Sequence, residues 1–169
     1  LALLEKSHKG PEVMGHLEAM LNVVEANAIN LVEDCVGVRT VCGLLEQFGM
    51  NDHGKVKPIL DKLVGDPEML DELIKDEFAN FAINIAVDFE PDRISCAVCA
   101  HFLDYALHDH GNYVVQKCIS STACKGYLHA FSEAFSKHRD TIVKDAKNGE
   151  AIRKNLERAE TRERRSRPR

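Results

Sequence analysis

Residues 105–120 read YALHDHGNYVVQKCIS, and the fold is decided by how this stretch is read. Val114, Val115, Cys118 and Ile119 recur at helical spacing, while Asn112, Tyr113 and Gln116 fall on another side of the same helix. A helix from Gly111 onward therefore buries one face and displays the other. Ahead of it, Ala106 and Leu107 close an earlier helix. His108, Asp109 and His110 fill the junction, where polar side chains cap helix ends, and that reading is preferred here to acid–base or metal chemistry.

The same pattern occurs three more times, and the copies align without internal gaps. They are LVEDCVGVRTVCGLLE at 31–46, LIKDEFANFAINIAVD at 73–88 and IVKDAKNGEAIRKNLE at 142–157. Each has an apolar pair, a polar residue (Asp34, Asp76, His108, Asp145), a tight junction and a second apolar-periodic helix. The anchors Gly37, Ala79, Gly111 and Asn148 lie 42, 32 and 37 residues apart, a mean of 37, which is a period of stacked helical repeats. Other helices fill the intervals. Asp66-Pro67-Glu68 and Glu90-Pro91-Asp92 each open one, with an acidic N-cap, proline in the first position and a carboxylate against the helix dipole. Ser121-Thr122 caps another, running through Tyr127, Leu128, Phe131 and Phe135. The turn Asn51-Asp52-His53-Gly54 accounts for the longest interval. The expected architecture is all-α: an α-solenoid of about four three-helix repeats, around ten helices in all. Residues 1–12 read as a lead-in, 13–157 as the repeats and 158–169 as a frayed basic extension.

Composition agrees with one domain or one short array. Of 169 residues, 44% are hydrophobic and 29% charged, enough apolar surface for a core. Glycine and proline are too few, and hairpin dipeptides too scarce, for an all-β chain. No apolar run approaches the roughly 18 residues that span a bilayer, and the N-terminal residues do not read as a secretory signal. No membrane association is expected. Leu1 at the start leads us to expect a piece of something longer. Six cysteines in a chain with this much core read as reduced, mostly buried and intracellular, with cytoplasm and nucleus or nucleolus both open. The net charge of −5 conceals +4 on residues 158–169 and −9 on the rest, so the body does not attract nucleic acid by charge alone. Cys96-x-x-Cys99 has the spacing of a zinc half-site, but no second pair exists, and both cysteines join Ile94, Val98 and Phe102 on one helix stripe. Gly54-Lys55 lacks the preceding glycine of a phosphate loop. No enzyme, metal, cofactor or small-molecule substrate is expected.

The string Gly111-Asn112-Tyr113-Val114-Val115-Gln116 resembles the helix signature of PUF (Pumilio-family) RNA-binding repeats. The flanking HDH and KCIS, the period and the other three copies extend the resemblance over about residues 16–157. It implies one RNA base per repeat, read by two or three side chains. Asn112 and Gln116 would then hydrogen-bond the edge of a uracil while Tyr113 stacks. Asn80, Phe81 and Asn84 hold the same places in the second repeat. Val38, Arg39 and Cys42 hold them in the first, where only Arg39 has a plane to stack or a charge for phosphate. In the fourth they fall to Gly149, Glu150 and Arg153, without a stacking plane. The implied function is binding of uridine-containing single-stranded RNA on the concave face, in post-transcriptional regulation or in maturation of RNA, ribosomal RNA included. The alternative is a protein-interaction scaffold that has kept the fold and lost base recognition. The terminal RERRSRPR is equally readable as a nuclear address, a phosphate-tracking arm or solvated chain.

Overall fold

The computed structural model describes the backbone of residues 11–166 and the side chains of 15–166. Among these residues there are eleven α-helices, one 3-10 turn and no strand. The helices fall into four successive segments. The first holds α1 (Pro11–Ala26), α2 (Ala28–Val32) and α3 (Gly37–Gly49); the second holds α4 (His53–Val64), α5 (Pro67–Lys75) and α6 (Ala79–Ala86). The third holds α7 (Pro91–Ala100), α8 (Phe102–Leu107) and α9 (Gly111–Ser120). The fourth has the 3-10 turn Lys125–Tyr127, α10 (Leu128–Asp145) and α11 (Gly149–Ser166).

Backbone angles account for the threefold division. Between α1 and α2 the chain breaks at Asn27 (φ −116°, ψ 16°), and between α7 and α8 it breaks at His101 (φ −119°, ψ 27°). His138 has the same conformation inside α10 (φ −121°, ψ 15°), so that helix is two helices joined at a kink. In the second segment the break falls at Asp66, whose Oδ1 accepts from the backbone N–H groups of Glu68 (2.8 Å) and Met69 (3.1 Å), with Pro67 leading the helix.

In the first three segments the junction before the last helix is closed by one side-chain acceptor, whereas Asp145 of the fourth makes no such bond among the described residues. Asp34 Oδ1 accepts from the N–H of Val36 (3.0 Å) and Gly37 (2.7 Å), and Asp76 Oδ1 from Phe78 (2.8 Å) and Ala79 (2.7 Å). His108 Nδ1 takes the same two positions, accepting from His110 (3.2 Å) and Gly111 (3.3 Å). These are N–H groups that a helix start leaves unpaired. The chain also folds back tightly there. A Cβ on Gly37 would lie 2.5 Å from the carbonyl oxygen of Leu31, and one on Gly149 only 2.0 Å from that of Ile142.

The last helices stack in order: α3 lies against α6, α6 against α9, and α9 against α11. The other helices pack against these, and Leu45, Leu63, Leu73, Tyr105, Phe131 and Ile142 are among the fully or nearly fully buried side chains. This is how amphipathic helices too short to be stable alone remove their apolar stripes from water.

Four details differ from the sequence reading. His53 and Gly54 belong to α4, and the long first interval is absorbed by helix: α3 has 13 residues, against 8 in α6 and 10 in α9. Residues 158–166 are not frayed but continue α11, with Ala159 buried. Ser121 does not cap α10; its Oγ accepts from the N–H of Ala123 and donates to Asp88. All six cysteines are free, but only Cys118 and Cys124 are buried, and Cys35 and Cys96 are exposed. Residues 1–10 of the expected lead-in and 167–169 of the extension lie outside the described residues. Among the described residues no helix is long and apolar enough to cross a membrane.

Candidate nucleic-acid interface

Because α3, α6, α9 and α11 each start from a similar junction, equivalent residues share one exposure pattern. The first position is buried in all four: Val38, Asn80, Asn112 and Gly149. The second is exposed: Arg39, Phe81 at 58%, Tyr113 at 45%, and Glu150. The third is half-buried: Cys42, Asn84, Gln116 and Arg153. Phe81 and Tyr113 are thus large rings held in water on adjacent helices, with Arg39 on the next one.

The buried first position changes what its amide does. Asn112, 1% exposed, donates both Nδ2 hydrogens to the carbonyls of His108 and Asp109, each at 2.8 Å. Its Oδ1 accepts from Gln116 Nε2 (3.0 Å) and Asn148 Nδ2 (2.9 Å). An asparagine amide has two donor hydrogens and two lone pairs, so every one is used. The expectation that Asn112 reads a base edge is therefore corrected: its burial makes it a bracket for the α8–α9 junction and a rest for Gln116.

Asn80, also 1% exposed, repeats the bracket, donating to the carbonyls of Asp76 (2.8 Å) and Glu77 (2.9 Å). It too is withdrawn as an edge-reader. Asn84 is one methylene shorter than Gln116, and the Oδ1 atoms of both Asn80 and Asn84 are buried without a hydrogen-bond partner in the protein. Gln116 is the amide best placed to meet a ligand. It spends one hydrogen on Asn112 and accepts one long bond from Asn155 Nδ2 (3.4 Å), keeping a donor and an acceptor lone pair. The sequence marks Asn148 only as a turn anchor and Asn155 not at all, because their partners are 36 and 39 residues away.

Arg153 is not free for phosphate. Its Nε lies 3.0 Å from Glu150 Oε2, and a second carboxylate, Glu157, pairs with its Nη1. The hydrogen bond from Arg153 holds the Glu150 carboxyl below its ordinary range. Arg39, by contrast, is exposed and has no carboxylate partner among the described residues.

Between α3 and α6 runs a groove of about 600 Å³ lined by Val38, Arg39, Cys42, Phe81, Asn84 and Ile85. Burial, then the charge of Glu46, pushes the Cys42 thiol up to about 11, so it is neutral at pH 7 and a poor nucleophile. Elsewhere, the Cys96 sulfur lies 3.8 Å from the Tyr127 hydroxyl, and among the described residues no three His, Cys, Asp or Glu side chains gather as a metal site would need.

Comparison with family models, with curated proteins and with solved structures found no match to this chain.

Proposed function

We propose that this chain is a PUF-like α-solenoid that binds uridine-containing single-stranded RNA along the face formed by α3, α6, α9 and α11, without catalysis. The observation that carries the proposal is the row Arg39, Phe81 and Tyr113, three stacking-capable groups exposed at one register on helices that touch in sequence. Water-exposed rings cost the protein hydrophobic free energy, and a base face offers each of them a partner. Tyr113 and Phe81 stack bases, Gln116 hydrogen-bonds a base edge, and Asn112 holds Gln116 in position. Arg39 stacks or pairs with phosphate. The setting is post-transcriptional control or RNA maturation, in a chain whose acidic body keeps non-specific attraction low.

The test is titration of a uridine-rich oligonucleotide into the full chain at several salt concentrations. Saturable, salt-sensitive binding is expected, and loss of one stacked base, worth about 1–3 kcal/mol, makes Tyr113→Ala roughly 5- to 150-fold weaker. Gln116→Ala should weaken uridine more than cytidine.

A protein-interaction scaffold is the second reading. It is favoured by the largely apolar lining of the α3–α6 groove and by the internally satisfied amide of Asn112. Absence of saturable RNA binding at low salt decides for it.

A further inference from the structure

Three hydrogen bonds join α9 to α11 along one seam. Asn148 donates to Asn112, Asn155 to Gln116, and Arg162 Nη2 to the carbonyl of Ser120 (3.1 Å). The donors are seven residues apart and the acceptors four, and α9 and α11 are in contact. Beside the last two bonds opens a groove of about 590 Å³, lined by Ser120, Lys154, Asn155, Arg158, Thr161 and Arg165, with Glu157 and Arg162. Lys154, Arg158, Thr161 and Arg165 follow one another at spacings of four, three and four, the stripe of a single helix face.

Three cations of this stripe lack a direct partner, though the charge of Lys154 acts on Glu150 one turn earlier. Lys154, Arg158 and Arg165 have no ion pair or hydrogen bond among the described residues, and Arg162 spends one nitrogen on a backbone carbonyl. Glu157, the one carboxylate in the lining, is already engaged by Arg153. Elsewhere, Lys57 of α4, Lys75 of α5 and Arg93 of α7 each meet two carboxylates. Four cations against one carboxylate along a groove, in a chain of net charge −5, are a local reversal of sign. Their spread along a helix suits a linear polyanion.

We infer that this groove holds the phosphodiester backbone of the RNA as the strand leaves Tyr113 and Gln116, with Lys154, Arg158 and Arg165 on successive phosphates and the Asn155 and Thr161 side chains donating to phosphate oxygens. The inference rests on the proposed RNA reading and deepens it. Gln116 and Asn155 are hydrogen-bonded to each other, so the base site and the groove adjoin. The basic end of the chain is therefore a built binding element as far as Arg165. It supplies the affinity that the acidic body withholds, without preference for base.

The experiment compares the full chain with a Lys154→Gln/Arg158→Gln/Arg165→Gln variant and with Tyr113→Ala. All three replaced cations are exposed, so the fold should survive, which circular dichroism checks. The probes are a uridine-rich 12-mer, an abasic phosphodiester strand of the same length and a poly-glutamate peptide of the same charge. The expected result is that the abasic strand binds the wild type and loses at least tenfold in the triple variant. The salt slope of the 12-mer should fall by about 2, three phosphates at about 0.7 each, while Tyr113→Ala leaves that slope unchanged. An unchanged slope in the triple variant, with the 12-mer still bound, overturns the groove and leaves the base site standing. Abasic binding that needs the three cations, with a 12-mer indifferent to Tyr113→Ala, overturns the base site and leaves the groove. Poly-glutamate binding as tightly as the abasic strand overturns the groove in favour of an acidic protein partner, and no binding by either strand overturns both.

Discussion

Asn112 and its neighbour Gln116 look alike on paper and stand in different surroundings. Four hydrogen bonds converge on the buried Asn112 amide, so Asn112→Ala leaves the carbonyls of His108 and Asp109 and the amides of Gln116 and Asn148 short of a partner. A loss of about 2–4 kcal/mol is expected, read as a lower urea midpoint at unchanged m-value. Gln116→Ala should cost well under half of that. His108 offers the reverse experiment. It accepts two backbone hydrogen bonds with a ring nitrogen where Asp34 and Asp76 use a carboxylate. The N–H of Gly37, then that of Val36, holds the Asp34 carboxyl below its ordinary range. His108→Asp should therefore stabilise by about 0.5–1 kcal/mol at pH 7. A depressed carboxylate contributes above its unfolded pKa and loses the contribution as pH falls through its folded value. The new carboxylate's contribution should therefore fall away on acidification, and paired denaturant melts at pH 7 will read the gain.

At the scale of the element, the tight return into each last helix sets what the chain can carry there. The Cβ introduced by Gly149→Ala would meet backbone, the carbonyl oxygen of Ile142 at 2.0 Å, and backbone cannot swing aside as a flexible side chain can. That variant should be destabilised by about 1–3 kcal/mol. Gly126→Ala is the control, since its Cβ would point into open space in the 3-10 turn; a change within about 1 kcal/mol is expected, and thermal melts of the pair will tell them apart. Helix content also explains the unequal anchor spacing. The 42-residue interval is the longest because α3 runs on to Gly49, where the Phe89 ring lies against the glycine and leaves no room for a side chain.

For the molecule as a whole, segments are joined by side chains from different segments as well as by core. Tyr105, fully buried in the third segment, donates its hydroxyl to Asp71 of the second at 2.8 Å. Lys75 bridges Asp71 (3.1 Å) and Asp104 (2.6 Å). Burial raises the Asp71 pKa, but the hydrogen bonds from Tyr105 and Lys75 and the charge of Lys75 outweigh it, leaving the carboxyl below its ordinary range. Its contribution is complete above about pH 4 and is lost as pH falls through the folded value. Tyr105→Phe should cost about 1–2 kcal/mol at pH 7, because Asp71 is partly exposed and screened, and the gap from wild type should narrow below pH 4 in a pH series of denaturant melts.

Much of the fold was legible because period and junction chemistry are local. The spacing of Val114, Val115, Cys118 and Ile119, the Asp66-Pro67 start and the acceptors Asp34, Asp76 and His108 act within a few residues of themselves, and the helices appear there. The exposure of Phe81 and Tyr113 was legible too, since it needed only a helix with one face turned outward. The edge positions were not, and neither was the basic groove. Whether an amide such as Asn112 faces a base or the protein depends on Asn148, a residue 36 positions away. Whether Arg158 and Arg153 are free depends on which carboxylates the folded helices bring within reach. Side-chain pattern along one helix is a property of the chain, but satisfaction of a hydrogen bond or a charge is a property of the neighbours, and only the tertiary structure supplies those.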